Sequence, residues 1–237
     1  IIGRLVGSEM CIRDRVDTLL ADESVEAVFK FSRAEITEHD DKVKHIFIDI
    51  EDEESIKQAT ESLPEDTKFD LIFVATGILH DEKNVFPEKS IKDISFDKLI
   101  KVLTINTIGP TLVGKYFIPY LRKDSKSTFA FLSARVGSIS DNKLGGWYSY
   151  RASKTALNQI IRNFSIEVAR SNKNAIFVGL QPGTVKSFLS KPFEKNVKSE
   201  NLFTPEFSAK KMLEVIEKLD SSDSGKVFAW DGEEINP

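Results

Sequence analysis

The sequence has one cysteine, three scattered histidines and no long apolar run among its 237 residues. A single cysteine cannot close an internal disulfide, so we expect a protein of the reducing cytoplasm. Histidines far apart along the chain give no metal-ligand spacing, and we predict no metal site. The longest apolar stretches, residues 71–75 and 176–180, are far shorter than the ~18 to 20 residues that cross a bilayer, which predicts no transmembrane helix.

An excess of positive charge is also missing. The 33 Lys and Arg residues are outnumbered by 37 Asp and Glu residues, and the formal net charge is −4. No broad positive field is available for nucleic-acid phosphates or for anionic lipid. We therefore expect no nucleic-acid partner and no membrane partner.

The composition is sufficient for a large hydrophobic core, since 41% of the residues are hydrophobic and 17 are Phe. Repeats and linkers rich in Gly, Ser or Pro are lacking, so we predict one domain over residues 16–237. Strand-like and helix-like segments alternate, which predicts a doubly wound parallel sheet in a three-layer α/β/α arrangement. The predicted strands are Val25–Phe31, His45–Ile50, Asp70–Ala75, Thr128–Ser133, Ala175–Leu180 and Lys226–Trp230; the predicted helices are Glu53–Ser62, one within Phe96–Leu121, Tyr150–Ser171 and Phe207–Leu219.

Ligands of doubly wound sheets bind beyond the carboxyl ends of the strands. The segments to examine are therefore those that directly follow the predicted strands: Ser32–Arg33, Asp49–Ile50, Ala75–Thr76–Gly77, Ser133–Ser138 and Pro182–Ser187.

Tyr150 and Lys154 form the most informative pair. They are four residues apart at the start of a predicted helix and project from the same face. A nearby ammonium favours the phenolate, so we expect Lys154 to lower the pKa of Tyr150 from its usual value of about 10. Such a phenol can serve as a general acid and base. The spacing also arises by chance in a lysine-rich chain, so by itself it does not establish a site.

The surrounding segment Leu132–Gln159, LSARVGSISDNKLGGWYSYRASKTALNQ, closely resembles the active-site segment of the short-chain dehydrogenase/reductase family. Asn106 in INTIGP and the loop PGTVKS that begins at Pro182 are similar to further motifs of that family, in the same order. The blocks GGWYSYRASKTALN and SGKVFAWDGEEI are most similar to the C-factor-like branch. The resemblance implies a Rossmann-like fold and an oxidoreductase that transfers a hydride between a nicotinamide cofactor and a carbonyl or alcohol substrate.

The resemblance also implies roles for individual residues. Tyr150 would exchange a proton with the substrate oxygen, Lys154 would hold the nicotinamide ribose, and Asn106 would hold a water that relays protons through Lys154. Alternatively, Asn106 only bends or caps its helix. The implied cofactor-binding residues are Gly3, Ser32, Arg33, Asp49, Ile50, Ala75, Thr76, Gly77, Asn106, Tyr150, Lys154, Pro182, Gly183, Val185 and Ser187.

The catalytic serine of the family has no direct match. Its usual register falls on Ala134, and Ser133 stands one residue earlier. Because a shift of one residue at a strand end turns a side chain to the other face, Ser133 would point away from the cofactor. Ser133 is the first candidate for the missing hydroxyl, Ser138 is the second, and a site without any serine is the third.

The family's glycine-rich phosphate loop is also missing near the start of the chain, where Gly3 and Gly7 are the available glycines. Residues 4–15 resemble the translation of a sequencing adapter. We therefore expect residues 1–15 to lie outside the domain, disordered or of artificial origin, and the chain to bind its cofactor weakly.

The residues after strand 25–31 indicate the cofactor. Arg33 offers a bidentate partner for the 2′-phosphate of NADP, whereas an acidic residue there would favour NAD. We therefore predict NADP(H) over NAD(H), with a solvated Arg33 as the alternative. Asp49 is expected to meet the adenine edge or, alternatively, only to cap the following turn.

Two functions are compatible with these features. The first is an NADP-dependent oxidoreductase with a Tyr–Lys–Asn proton relay, and the second is a nucleotide-binding regulatory or signalling protein of the same fold with little or no catalysis. We also predict a homodimer or homotetramer. The predicted helices that follow Phe96 and Tyr150 carry apolar residues on more than one face, namely Leu103, Ile108, Leu112, Phe117, Leu157, Ile160, Ile161, Phe164 and Ile166.

Overall fold

The computed structural model describes residues 2–7, 16, 19–20, 22–34, 41–81, 85–187, 190–192 and 199–237. Its centre is a parallel sheet of seven strands in the order β3-β2-β1-β4-β5-β6-β9. The sheet strands are β1 (Ile2–Gly7), β2 (Ala27–Ser32), β3 (Val43–Phe47), β4 (Leu71–Ala75), β5 (Ser127–Leu132), β6 (Ala175–Gln181) and β9 (Val227–Ala229). Two short strands, β7 (Thr184–Val185) and β8 (Leu202–Phe203), pair separately beside it.

Helices cover the sheet. Those with complete bounds are α1 (Glu53–Glu61), α2 (Phe96–Leu103), α3 (Gly109–Phe117), α4 (Tyr148–Val168) and α5 (Pro205–Lys218). Side chains before three of them accept a hydrogen bond from the first turn, as N-caps do: Asp52, Ser95 and Thr204.

Two hydrophobic cores lie against alternate residues of the same strands. One contains Phe29, Phe129 and Phe177 with residues of α1, α3 and α4, and the other contains Val28 and Ala130 with residues of α5. Because neighbouring strand residues point to opposite faces, both faces of the sheet are buried. The predicted doubly wound α/β fold is confirmed.

The expected domain boundary at Val16 is wrong for residues 2–7. This segment forms β1, which is hydrogen-bonded on one side to β2 and on the other to β4. A central strand with a parallel neighbour on each side does not require an alternation of polar and apolar residues, so the lack of a regular period in IIGRLVG did not exclude a strand. The expectations for residues 8–15 lie outside the described residues.

The long helix expected within Phe96–Leu121 is divided. A π-helical turn, Thr104–Ile108, separates α2 from α3, and a 3₁₀ turn follows at Ile118–Tyr120. Local widenings of this kind occur often at functional sites. Asn106 lies inside this turn and is fully buried.

The strand order reverses between β1 and β4, which places a crevice at the carboxyl ends of these central strands. Within the part of the chain that the structure describes, no helix is both long and apolar enough to span a bilayer. The same residues contain no group of three or more His, Cys, Asp or Glu side chains that could hold a metal ion.

Candidate active site

The start of α4 carries Tyr150 and Lys154. Three consecutive residues before it have positive φ: Gly145 (64°), Gly146 (65°) and Trp147 (51°). The helix begins at Tyr148, directly after this left-handed segment. The glycines adopt such angles without steric cost, whereas Trp147 does not. The Trp147 ring then lies edge-on to the Tyr150 ring, with 6.2 Å between centroids.

Lys154 is an almost fully buried amine with 2% of its surface exposed. Its Nζ donates to the backbone oxygen of Leu132, at 2.8 Å, and lies 5.9 Å from the centroid of the Tyr150 ring. A Cβ placed on Gly77 would approach Nζ to 3.3 Å. The amine therefore lies between the end of β5 and the loop after β4.

Burial controls both titrations in this pair. It lowers the pKa of Lys154 to about 7 and raises the pKa of Tyr150 to about 12. The expected lowering of the Tyr150 pKa by Lys154 is therefore wrong for this structure. Desolvation dominates because the ammonium is bonded to Leu132 and does not contact the phenol oxygen.

Asn106 joins two segments of the site. Its Oδ1 accepts from the backbone N–H of Ile78 (2.7 Å), and its Nδ2 donates to the backbone oxygen of Ile78 (2.9 Å) and to Ser153 Oγ (3.0 Å). Both protons on Asn106 Nδ2 are thus donated to protein oxygen atoms. The side chain holds the loop after β4 against α4 next to Lys154, and any water relay at Asn106 needs a group other than these amide protons.

The structure separates Ser133 from the Tyr150–Lys154–Asn106 group. Ser133 is buried, and its hydroxyl donates to Asn158 Oδ1 at 2.6 Å, one turn beyond Lys154 on α4. Ser138 is buried as well and accepts from the backbone N–H of Asp141 (3.2 Å). Ala134 lies two residues after the end of β5, is in extended conformation and offers no hydroxyl. Both serines are engaged in local structure.

The residues after β4 suit a polar ligand. Thr76 is 8% exposed, and its buried hydroxyl has no hydrogen-bond partner among the described residues. A buried hydroxyl without a partner costs folding free energy unless a ligand or a water molecule forms the missing hydrogen bond. Ala75 ends β4, and Gly77 leaves open the approach to Lys154 and Asn106. A nicotinamide dinucleotide, with its ribose hydroxyls and phosphates, fits this donor set and this crevice.

The residues after β2 and β3 are arranged around Arg33. Its Nη1 lies 3.8 Å from carboxylate oxygens of both Asp49 and Glu51, and two thirds of its side chain (66%) is exposed. The Ser32 hydroxyl is bonded to His45 Nε2 at 2.9 Å. Asp49 also accepts from the backbone N–H of Glu51, so the alternative of a turn cap is observed.

Other predicted cofactor residues are spread along the same edge of the sheet. Ile50 lies against α3, where a Cβ on Gly109 would come within 2.7 Å of the Ile50 oxygen. Gly183 has φ 76° and lies beneath the Phe203 ring. The other predicted cofactor residues of this loop are half-buried: Pro182, Val185 and Ser187.

The prediction that Gly3 binds the cofactor is corrected by its position in the sheet. Gly3 pairs with Val28 and Leu71 near the amino end of β1, whereas Gly7 stands at the carboxyl end of that strand beside Ala75. A pyrophosphate beyond the strand end would therefore meet the region of Gly7, not Gly3.

Two residues of this region were not predicted. Ser153 connects Asn106 to α4, and its position directly before Lys154 was a usable signal. Glu88 is fully buried against the first turn of α4, bonded to Ser149. Nothing local in the sequence distinguishes it from the many solvated acidic residues.

Comparison with known proteins identifies the family of this chain. Residues 2–198 match the family model described as short chain dehydrogenase. The chain is 28% identical over 186 residues to 1-hydroxy-2-glutathionyl-2-methyl-3-butene dehydrogenase of Rhodococcus sp. (strain AD45), covering 78% of this chain and 76% of that one. It is 32% identical over 146 residues to the C-signal protein of Myxococcus xanthus, covering 62% and 82%.

Solved structures share the fold. An NADPH-bound carbonyl reductase from chicken fatty liver superposes with a TM-score of 0.84 at 24% identity, covering 99% of this chain and 98% of that one. The carbonyl reductase Sniffer of D. melanogaster superposes with a TM-score of 0.85 at 20% identity, covering 99% of each chain.

The buried amine generates a prediction about stability. An unfolded lysine has its usual pKa of 10.5, whereas burial lowers the pKa of Lys154 to about 7. Between these values the unfolded chain binds more protons, so this residue destabilises the fold fully below pH 7 and progressively less up to pH 10.5. We expect Lys154→Met to raise the free energy of unfolding at pH 6.5, with a gain that shrinks towards pH 9.5. Urea denaturation of both proteins at several pH values measures the difference, and a gain independent of pH would contradict it.

Proposed function

The chain belongs to the short chain dehydrogenase family of oxidoreductases that act on alcohols and carbonyls, and we propose that it is an NADP-dependent carbonyl reductase or alcohol dehydrogenase in which Tyr150, Lys154 and Asn106 form the catalytic group. The observation that carries this proposal is the convergence of these side chains at the carboxyl ends of β4 and β5, beside the unpartnered hydroxyl of Thr76.

Tyr150 is the proton donor in this mechanism. With a pKa raised to about 12, its phenol is protonated at neutral pH, as reduction of a carbonyl requires. When bound, the nicotinamide supplies the hydride. Tyr150 donates its proton to the substrate oxygen as negative charge develops there, and the alcohol results.

Lys154 is the second titratable group of the proposed proton path. Its pKa of about 7 lets the amine both release and accept a proton near neutral pH. Its place between the end of β5 and the Tyr150 ring suits a cation that stabilises the phenolate after each turnover. Asn106 fixes the loop after β4 against α4, which keeps this arrangement pre-organised.

Arg33 supports the preference for NADP. It follows β2 directly and is mostly exposed, and its carboxylate neighbours lie at 3.8 Å, longer than a direct hydrogen bond. A 2′-phosphate carries more charge than either carboxylate and accepts a bidentate pair from a guanidinium. The structural neighbours include proteins described with NADPH or NADP bound.

A second function, a nucleotide-binding regulatory protein, is favoured by one observation. Ala134 stands where the family resemblance places a serine, and the neighbouring Ser133 hydroxyl is bonded to Asn158. Loss of one hydroxyl that binds the substrate oxygen costs on the order of 10² in rate. NADPH binding by the unaltered chain without turnover of any ketone or aldehyde would favour this function.

We also propose a homo-oligomer, formed through α2, α4 and the π-helical turn. Of the apolar residues named for it in the sequence, Phe117, Leu157 and Ile161 are buried in the core of their own chain. Exposed apolar side chains remain on this side, namely Phe96, Ile100, Ile108 and Ile166. Burying them in a second copy would remove apolar surface from water.

Substitution of Tyr150 tests the catalytic assignment. Tyr150→Phe keeps the ring and removes the proton donor, so we expect kcat for carbonyl reduction to fall by at least about 10²-fold with unchanged NADPH affinity. NADPH oxidation with a panel of ketones and aldehydes measures kcat, and calorimetry measures binding. Tyr116→Phe, whose hydroxyl contacts Glu53 instead, serves as the control. Retention of more than about a tenth of kcat would remove Tyr150 from the acid role.

Substitution of Arg33 tests the cofactor. Arg33→Asp replaces charged hydrogen bonds by repulsion, a loss of ~1.5 to 3 kcal/mol or about one to two decades in NADPH affinity. We expect the ratio of NADPH to NADH affinity to fall accordingly. The same charge change at the exposed Arg170 should leave the ratio unchanged. An equal ratio in the Arg33 variant and the parent would assign Arg33 to the solvated surface.

The oligomer has a direct test. We expect light scattering at micromolar concentration to give the mass of a dimer or tetramer of the 26.7 kDa chain. Ile108→Asp and Ile166→Asp should shift that mass towards the monomer, because each places a charge in the proposed contact. A monomeric mass for the parent chain contradicts the proposal.

A further inference from the structure

Glu88 is a buried carboxyl outside the Tyr150–Lys154–Asn106 group. It lies in the loop between β4 and α2 and has 1% of its surface exposed. A buried carboxylate persists only where hydrogen bonds or opposite charge compensate its lost hydration. The hydrogen-bond donors around the Glu88 carboxylate therefore indicate its role in the structure.

The hydrogen bonds of Glu88 go to the beginning of α4. Its Oε2 accepts from the backbone N–H of Ser149 at 3.2 Å, and its Oε1 accepts from the Ser149 hydroxyl. Its backbone oxygen accepts from the N–H of Trp147 at 2.6 Å. The residue that follows Ser149 is Tyr150.

This end of α4 needs an external cap. Trp147 occupies the N-cap position, and its indole cannot accept a hydrogen bond from the first turn. The Ser149 N–H is one of the first donors of the helix, which lack acceptors within it. Glu88 supplies from another segment what an N-cap Ser or Asp supplies locally, and its negative charge complements the positive end of the helix dipole.

The loop that carries Glu88 is held on both sides. Asp81 and Val85 exchange two hydrogen bonds, of 2.8 and 2.9 Å, before it. After it, Asp93 Oδ2 accepts from the backbone N–H groups of Lys89 (3.1 Å) and Ser90 (2.9 Å). Residues 82–84 lie outside the described part of the chain. Glu88 is thus presented by turns that are built without α4.

We propose that Glu88 is a positioning residue for Tyr150. Its carboxylate caps α4 from a distant segment of the same chain, and its backbone oxygen holds Trp147 in its left-handed conformation. The phenol of Tyr150, one residue beyond Ser149, is thereby fixed in the crevice. Displacement of a catalytic group by about 1 Å can cost on the order of 10² in rate. The inference rests on the proposed function, because it assigns Glu88 to the same proton transfer.

The experiment compares kcat, KM and NADPH affinity in Glu88→Ala, Glu88→Gln and the exposed control Glu65→Ala. We expect Glu88→Ala to lower kcat at least about 10-fold, with KM for the carbonyl and the NADPH dissociation constant within about three-fold of the parent. Glu88→Gln should recover most of kcat, because its amide oxygen still accepts from Ser149. Hydrogen exchange should quicken at the amides of residues 149–151 in Glu88→Ala and stay unchanged in α5.

The outcomes that would contradict the proposal can be told apart. Faster exchange at residues 149–151 with unchanged kcat would make Glu88 a structural cap only and would overturn the positioning role. A Glu88→Gln variant as slow as Glu88→Ala would overturn the hydrogen-bond argument. If Glu88→Ala does not fold, Glu88→Asp, which is shorter by one methylene, replaces it with the same expectation. An inactive parent chain would overturn the proposed function and the positioning role with it, whereas unchanged exchange in an active enzyme overturns the cap alone.

Discussion

The burial of Lys154 is the constraint around which the site is built. An amine with 2% exposure needs a fixed acceptor, which the Leu132 oxygen supplies, and it needs space. Glycines supply the space: a Cβ on Gly77 would lie 3.3 Å from the Lys154 Nζ, and one on Gly137 would lie 3.0 Å from the Lys154 Cβ. The end of β5, the loop after β4 and the 3₁₀ turn Arg135–Gly137, which follows β5, are thereby fixed relative to α4.

The same burial links stability to chemistry. Removing Lys154 from water lowers its pKa to about 7, which costs folding energy at neutral pH but gives an amine that can exchange protons there. Partial burial raises the pKa of Tyr150 to about 12, which keeps the phenol protonated. Burial thus disfavours the ionised form of both groups, and the hydrogen bonds of Asn106 and Glu88 fix the elements that carry them.

The region of Ala134 shows how the chain departs from the pattern that it otherwise resembles. The hydroxyl nearest in sequence, Ser133, is directed to Asn158, which lies four residues after Lys154 on the same helix. This bond holds β5 to α4 and serves packing. In the proposed mechanism the substrate oxygen therefore relies on the Tyr150 hydroxyl, because the Ser133 hydroxyl is already bonded to Asn158.

The sequence by itself determined the alternation of the main strands and helices from β2 onward, because parallel strands covered on both faces appear in a sequence as short apolar runs. It also determined that Tyr150 and Lys154 share a helix face, because a spacing of four residues nearly matches the helical period. Tertiary structure alone decided the rest: the pairing of Ile2–Gly7 between β2 and β4, the direction of Ser133, the pKa of Tyr150 and the contact of Glu88 with Ser149. These properties arise from hydrogen bonds and desolvation between segments that are distant in the chain, and no local pattern of residues records which distant segment will supply a partner or exclude water.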